Sequence, residues 1–256
     1  MKNRIQNLFK TKKEHILSLY FTAGFPNLND TLTILKHLEA SNVDMIEIGF
    51  PYSDPLADGL VIQESNSQSI KNGMTLRLLF EQLQSLRNIT QKPIVLMGYL
   101  NVVLQFGEAA FIEKCAKVGV DGIIIPDMPL HYYISNLKEL CEKNKISNVL
   151  LITPETSEER IRQLDRYSSG FIYLVSSNNI TGSTNAIDFQ TDYYQRIQNM
   201  KLQNKHLIGF GVHNKKTFES VCKFGSGAII GSAFIKHLNN GTSKESIEEF
   251  ITSIKE

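Results

Sequence analysis

Glu47 sits between Ile46 and Ile48 near the end of an apolar run, where an unpaired carboxylate is costly to bury. Such a setting lifts a Glu pKa toward neutrality, which suits a group that must donate and accept protons within one turnover. The structural alternative is a Glu paired with a buried Arg or Lys, and the neighbouring strand ends carry no such cation. Asp54 and Asp58 follow in Ser53-Asp-Pro-Leu-Ala-Asp-Gly59. One of them could cap a short helix while the other enters a pocket, or both could be caps, and spacing does not separate these readings. Asp127, after Ile123-Ile-Ile-Pro126, is a third acid at a strand end, with a hydrogen bond to a loop as its structural role.

A second group of residues suits an anion. Thr181-Gly182, Gly209-Phe-Gly211 and Gly231-Ser232 follow three late apolar runs, the places where a barrel commonly holds phosphate. Glycine lets backbone N–H groups approach an anion closely, and a following helix adds its N-terminal dipole. Absences narrow the chemistry. No strand end carries a Lys for Schiff-base formation, and the six histidines have no paired ligand spacing, so no metal site is expected. His213, after Gly211-Val, could touch a ligand, with loop polarity as its first reading. Carbon–carbon cleavage run by carboxylates alone remains, given a leaving group activated by protonation on carbon.

Eight nearly continuous apolar runs must position these groups: residues 17–22, 43–49, 93–99, 122–126, 148–153, 170–176, 206–211 and 227–233. Runs without strict alternation fit a parallel sheet covered on both faces. Helical spacing separates them, clearest in Leu76, Leu79, Phe80, Leu83 and Leu86. Asn27 to Asp30 supply cap residues before Leu32, and Ser157-Glu-Glu places a cap and acids at another helix start. The pattern predicts a (β/α)8 TIM barrel over residues 1–256, a single domain with an extra N-terminal helix. Residues 54–73 read as a long active-site loop containing a short helix, and residues 176–188 as a mobile lid.

The composition is that of an ordinary globular chain: 256 residues, 42% of them hydrophobic, with 27 basic against 26 acidic side chains. No basic stripe points to nucleic acid, and no run reaches the roughly 18 apolar residues of a membrane span. The three cysteines form no CxxC pair and read as neutral, buried thiols. The basic start lacks an apolar run behind it, so a cytoplasmic location is expected.

The run Ile46-Glu-Ile-Gly-Phe-Pro-Tyr-Ser-Asp-Pro-Leu-Ala-Asp-Gly59 resembles the signature of the tryptophan synthase α subunit family. Phe21-Thr-Ala-Gly24, Gly98-Tyr-Leu-Asn101, Val120-Asp-Gly122, Gly170-Phe-Ile-Tyr173 and Gly231-Ser-Ala233 extend the resemblance over nearly the whole chain. It implies retro-aldol cleavage of indole-3-glycerol phosphate to indole and D-glyceraldehyde 3-phosphate, a lyase step of L-tryptophan biosynthesis. By the same resemblance, Glu47 is the general acid-base and Asp58 accepts a hydrogen bond from the indole N–H. Tyr20, Met97 and Tyr173 wall the substrate, and Thr181, Gly182, Gly211, Gly231 and Ser232 hold the phosphate.

The resemblance also implies an α2β2 heterotetramer, with Pro51 and Asp54 in the communicating loop. It implies no cofactor in this chain and pyridoxal phosphate in the β partner. The lid departs from the family pattern, with Ser177 where the family has Arg and Asn179 where it has Gly. That departure leaves an alternative, a catalytically weak subunit that mainly activates a β partner, against which both acids are retained. Another phosphate-binding barrel that forms indole-3-glycerol phosphate would want the missing strand-end Lys.

Overall fold

The computed structural model describes residues 3–176, 184–209 and 211–256, of which 184–190 as backbone only. Eight parallel strands close on themselves in chain order: β1 (Ile16–Thr22), β2 (Met45–Gly49), β3 (Ile94–Met97), β4 (Gly122–Ile124), β5 (Ser147–Ile152), β6 (Ile172–Val175), β7 (His206–Gly209) and β8 (Gly227–Ile230). β1 pairs with both β2 and β8, which completes the ring. Helices follow every strand, so this is the expected (β/α)8 barrel. The strands are mostly shorter than the apolar runs, because several flanking residues are buried without joining the ladder.

Side chains alternate across each strand. Along β1, Leu17, Leu19 and Phe21 join the ring of apolar residues between strands and helices, and along β2 Ile46 and Ile48 do the same. Ile16, Met45, Val95, Ile124, Val149, Leu207 and Ile229 form a separate cluster, which fills the barrel interior. The N-terminal helix Arg4–Thr11 contributes Ile5 and Phe9 to that cluster, and Phe9 packs on Phe171 with ring centroids 5.8 Å apart. The extra helix therefore plugs one end of the barrel. Ion pairs of Asp121 with Arg4 and Arg87, and of Asp44 with Lys12 and Lys255, tie the start of the chain to the barrel.

Local structure departs from the sequence reading at four places. The stretch 54–73 holds a helix of 12 residues, Leu60–Lys71, where a short one was expected. The helix Thr184–Asn199 begins inside the stretch read as a lid. The helix around Leu76 is broken, passing through a 3₁₀ turn at Leu83–Ser85. Asn29 precedes the helix Asp30–Glu39 without a side-chain cap; instead the Asp30 carboxylate accepts from the Asn27 backbone and side-chain amides at 3.1 and 2.8 Å. Ser157 caps its helix as expected, accepting from the Arg160 N–H.

Candidate active site

A cavity of about 370 Å³ opens at the C-terminal ends of the strands, lined by Tyr20, Glu47, Asp58, Met97, Tyr173, Gly211, Gly231 and Ser232 among others. Alternation explains the inward aim of Glu47: it lies two residues beyond Met45, on the face that fills the barrel. The side chain is fully buried. Its Oε1 accepts a hydrogen bond of 2.7 Å from the Ser18 hydroxyl on β1, while Oε2 has no hydrogen-bond partner among the described residues. Burial pushes the carboxyl up to about 7, against the opposing pull of the Ser18 hydrogen bond. No Arg or Lys is bonded to it among the described residues, so the structural ion-pair reading of Glu47 is set aside.

Asp58 resolves the ambiguity of the loop. The helix Leu60–Lys71 starts from Gly59 with no side-chain cap, so neither Asp54 nor Asp58 caps it. Asp58 instead turns into the cavity, where its Oδ2 accepts from the Tyr99 hydroxyl at 3.0 Å. Burial raises its carboxyl to about 6, with the Tyr99 hydrogen bond pulling the other way. Tyr99 also accepts from the Ala57 N–H at 3.1 Å and stacks on Tyr52 with centroids 5.1 Å apart, fixing the loop that carries Asp58. Asp54 lies exposed on the same loop, accepting from Ser53, and Pro51 is buried behind it.

The two phenols need glycines opposite them. A Cβ added at Gly49 would fall 2.1 Å from the Tyr20 Oη, and one added at Gly209 would fall 2.1 Å from the Tyr173 Oη. Gly209 is thus a strand residue that makes room for Tyr173, which is a correction to its reading as a phosphate turn. Desolvation raises both phenols well above their usual range, so they are neutral walls. Gly211, Gly231 and Ser232 meet at the end of the cavity formed by β7 and β8, with Gly231 preceding the helix Ser232–Leu238.

His213 also lines the cavity, its Nδ1 within 2.9 Å of the Gly211 carbonyl. Asp127 does not: its carboxylate accepts from the Leu100 N–H at 2.9 Å, at the start of the helix Leu100–Phe106, which is the structural role. Thr181, Gly182, Ser177 and Asn179 lie outside the described residues.

Three site features were not read from the sequence. Ser18 and Tyr99 act through side-chain proximity across strands, for which a single chain gives no pattern. Lys236 lines the cavity from the helix that follows β8, four residues after Ser232 and so on the same helical face. Among the described residues no group of three or more His, Cys, Asp or Glu is placed to hold a metal ion, and no helix is long and apolar enough to cross a membrane.

A closed (β/α)8 barrel with two buried carboxyls facing one cavity defines a barrel enzyme built for proton-transfer chemistry. The family model described as tryptophan synthase alpha chain matches residues 6–255, and the chain belongs to that family. The tryptophan synthase alpha chain of Flavobacterium psychrophilum is 54% identical over 254 residues, covering 98% of this chain and 99% of the relative. That of Parabacteroides distasonis is 51% identical, covering 99% of this chain and 100% of the relative. Among solved structures, the tryptophan synthase subunit alpha of Campylobacter jejuni superposes with a TM-score of 0.85 at 29% identity, over 96% of this chain and 98% of that one. A chain of the tryptophan synthase complex of Pyrococcus furiosus superposes at 0.81 with 34% identity, over 95% and 97%.

Proposed function

We propose that this chain cleaves indole-3-glycerol phosphate to indole and D-glyceraldehyde 3-phosphate by acid-base catalysis, with Glu47 as the proton carrier and Asp58 as the partner of the indole N–H. Membership of the family makes the chain a carbon–carbon lyase of tryptophan biosynthesis. The observation that carries the residue assignment is Glu47 itself: a buried carboxyl lining the cavity, poised at about 7, with one oxygen unbonded among the described residues.

The proton account closes. Glu47 delivers its proton to indole C3, and the ring becomes a cationic indolenine whose charge Asp58 stabilises through the N–H. The glycerol C3′ hydroxyl then returns a proton to Glu47 as its O–H electrons form the aldehyde C=O. The C3–C3′ bond pair flows into the ring and restores neutral indole. Acid-base assistance of this type is worth roughly 10²- to 10⁴-fold per group. Tyr20, Met97 and Tyr173 hold the indole between apolar faces. The phosphate is held by backbone N–H groups at Gly211, Gly231 and Ser232 and by the ammonium of Lys236, with Thr181 and Gly182 completing the site.

The family's solved complexes support docking on a β subunit, and the surface fits that reading. Leu56 is 90% exposed and Leu60 76%, both beyond β2, while Leu104 beyond β3 and Ile134 beyond β4 are exposed too. These three strands are neighbours in the barrel, and Leu56 and Leu60 flank Asp58 and Gly59 in the loop that reaches the cavity. The reading is an α2β2 assembly in which Pro51 and Asp54 lie in the communicating loop and the partner carries pyridoxal phosphate. The location that fits is the cytoplasm. Indole release by purified chain, compared with Glu47→Gln and Asp58→Asn, tests the chemistry.

A further inference from the structure

We infer that Ser18 is a positioning residue that decides which oxygen of Glu47 carries the transferable proton. This inference rests on the role given to Glu47 above. The Ser18 hydroxyl on β1 lies 2.7 Å from Glu47 Oε1, and both residues are fully buried. Oε1 is the one hydrogen-bond partner of this hydroxyl among the described residues. A serine hydroxyl both donates and accepts, so the direction of this bond matters. If Glu47 were protonated on Oε1 and donated to Ser18, both the serine O–H and Oε2 would be left buried and unpaired, whereas with Ser18 donating only the acid O–H on Oε2 awaits a partner. With Ser18 donating, Oε1 behaves as the carbonyl oxygen in the protonated acid and the proton resides on Oε2. Oε2 has no hydrogen-bond partner among the described residues, and Glu47 lines the cavity, so Oε2 is the oxygen left for a substrate to meet.

The same bond serves both halves of the proton cycle. Ser18 donates to Oε1 whether Glu47 is the acid or the anion, so the carboxyl does not rotate between giving its proton to carbon and taking one from the hydroxyl. Because a donor favours the charged form, the bond also holds back the rise that burial imposes on Glu47. Other titratable groups face the same cavity: Tyr20 on β1, Asp58 beyond β2, Tyr173 on β6, His213 beyond β7 and Lys236 beyond β8. None of them is bonded to the Ser18 hydroxyl among the described residues, so a shift on its removal reports the Ser18 bond.

The test compares wild type, Ser18→Ala, Ser18→Thr and Glu47→Gln for indole release from indole-3-glycerol phosphate across pH, with the carboxyl stretch followed by infrared spectroscopy. Ser18→Ala should lower kcat about tenfold, the loss typical of a hydrogen bond to a charged group. It should also move the alkaline limb of the profile to higher pH and shift the protonated carboxyl stretch to higher frequency. Ser18→Thr, which keeps the hydroxyl, should restore the limb and most of the rate. A Ser18→Ala protein with the wild-type limb and kcat overturns the inference, as does equal impairment of Ala and Thr variants with no shift of the limb. Should the Ala variant fail to fold, Ser18→Cys, close in shape with a weak donor, is read by the same criteria. Activity retained by Glu47→Gln instead overturns the reading beneath it.

Discussion

At the scale of residues, two carboxyls carry the account and both are raised for the same cause, loss of water. The proposed reaction needs Glu47 protonated and Asp58 ionised. Indole release should therefore peak narrowly near neutrality, falling below about pH 6 as Asp58 gains a proton and above about pH 7 as Glu47 loses one. A pH–rate profile of kcat/KM checks both limbs, and Asp58→Asn should remove the acidic one along with roughly 10²-fold in rate. Stability carries the matching signature. The folded-state value of Glu47 lies above its ordinary 4.5, so its contribution is whole below that pH and is lost as pH rises through about 7. The loss amounts to roughly 3 kcal/mol at alkaline pH. Glu47→Gln should accordingly raise Tm at pH 8 relative to wild type, with a smaller difference at pH 5, as read by thermal melts. Glu47 was legible because an acid between two isoleucines on a strand is either ion-paired or functional, and no neighbouring strand end offers the cation. Asp58 was not separable from Asp54, since loop side chains have no period, and it took the Tyr99 hydroxyl to distinguish them.

At the scale of elements, the strands were legible and the pieces between them less so. Apolar runs mark buried parallel strands, whereas the start of the helix Leu60–Lys71 is set by a turn in which Asp58 N–H bonds to the Pro55 carbonyl. Nor does the sequence say that Gly49 and Gly209 exist to admit tyrosine rings from neighbouring strands. Gly209→Ala should drive Tyr173 out of place and lower kcat/KM by at least about tenfold while secondary structure is kept, as steady-state kinetics and circular dichroism would read. The loop beyond β2 belongs to the docking surface proposed above. Leu56→Glu should weaken the β-subunit complex by about tenfold or more, measured by calorimetric titration, while leaving the cleavage rate of the isolated chain within about twofold.

At the scale of the whole molecule, the barrel divides its labour between its ends. The N-terminal helix closes one end with Ile5 and Phe9, and the reactive cavity occupies the other. Phe9→Ala should cost about 3 kcal/mol of stability, seen in urea melts, with little change in kcat because the cavity is remote from the plug. The cleavage proposed above depends on the proton at Glu47. Indole release from indole-3-glycerol phosphate by the purified chain, alone and with a tryptophan synthase β subunit, tests this for wild type and Glu47→Gln. Slow release alone, faster release with the partner, and a drop of roughly 10²-fold or more in the variant under both conditions are expected. Wild-type rates from Glu47→Gln would contradict that dependence.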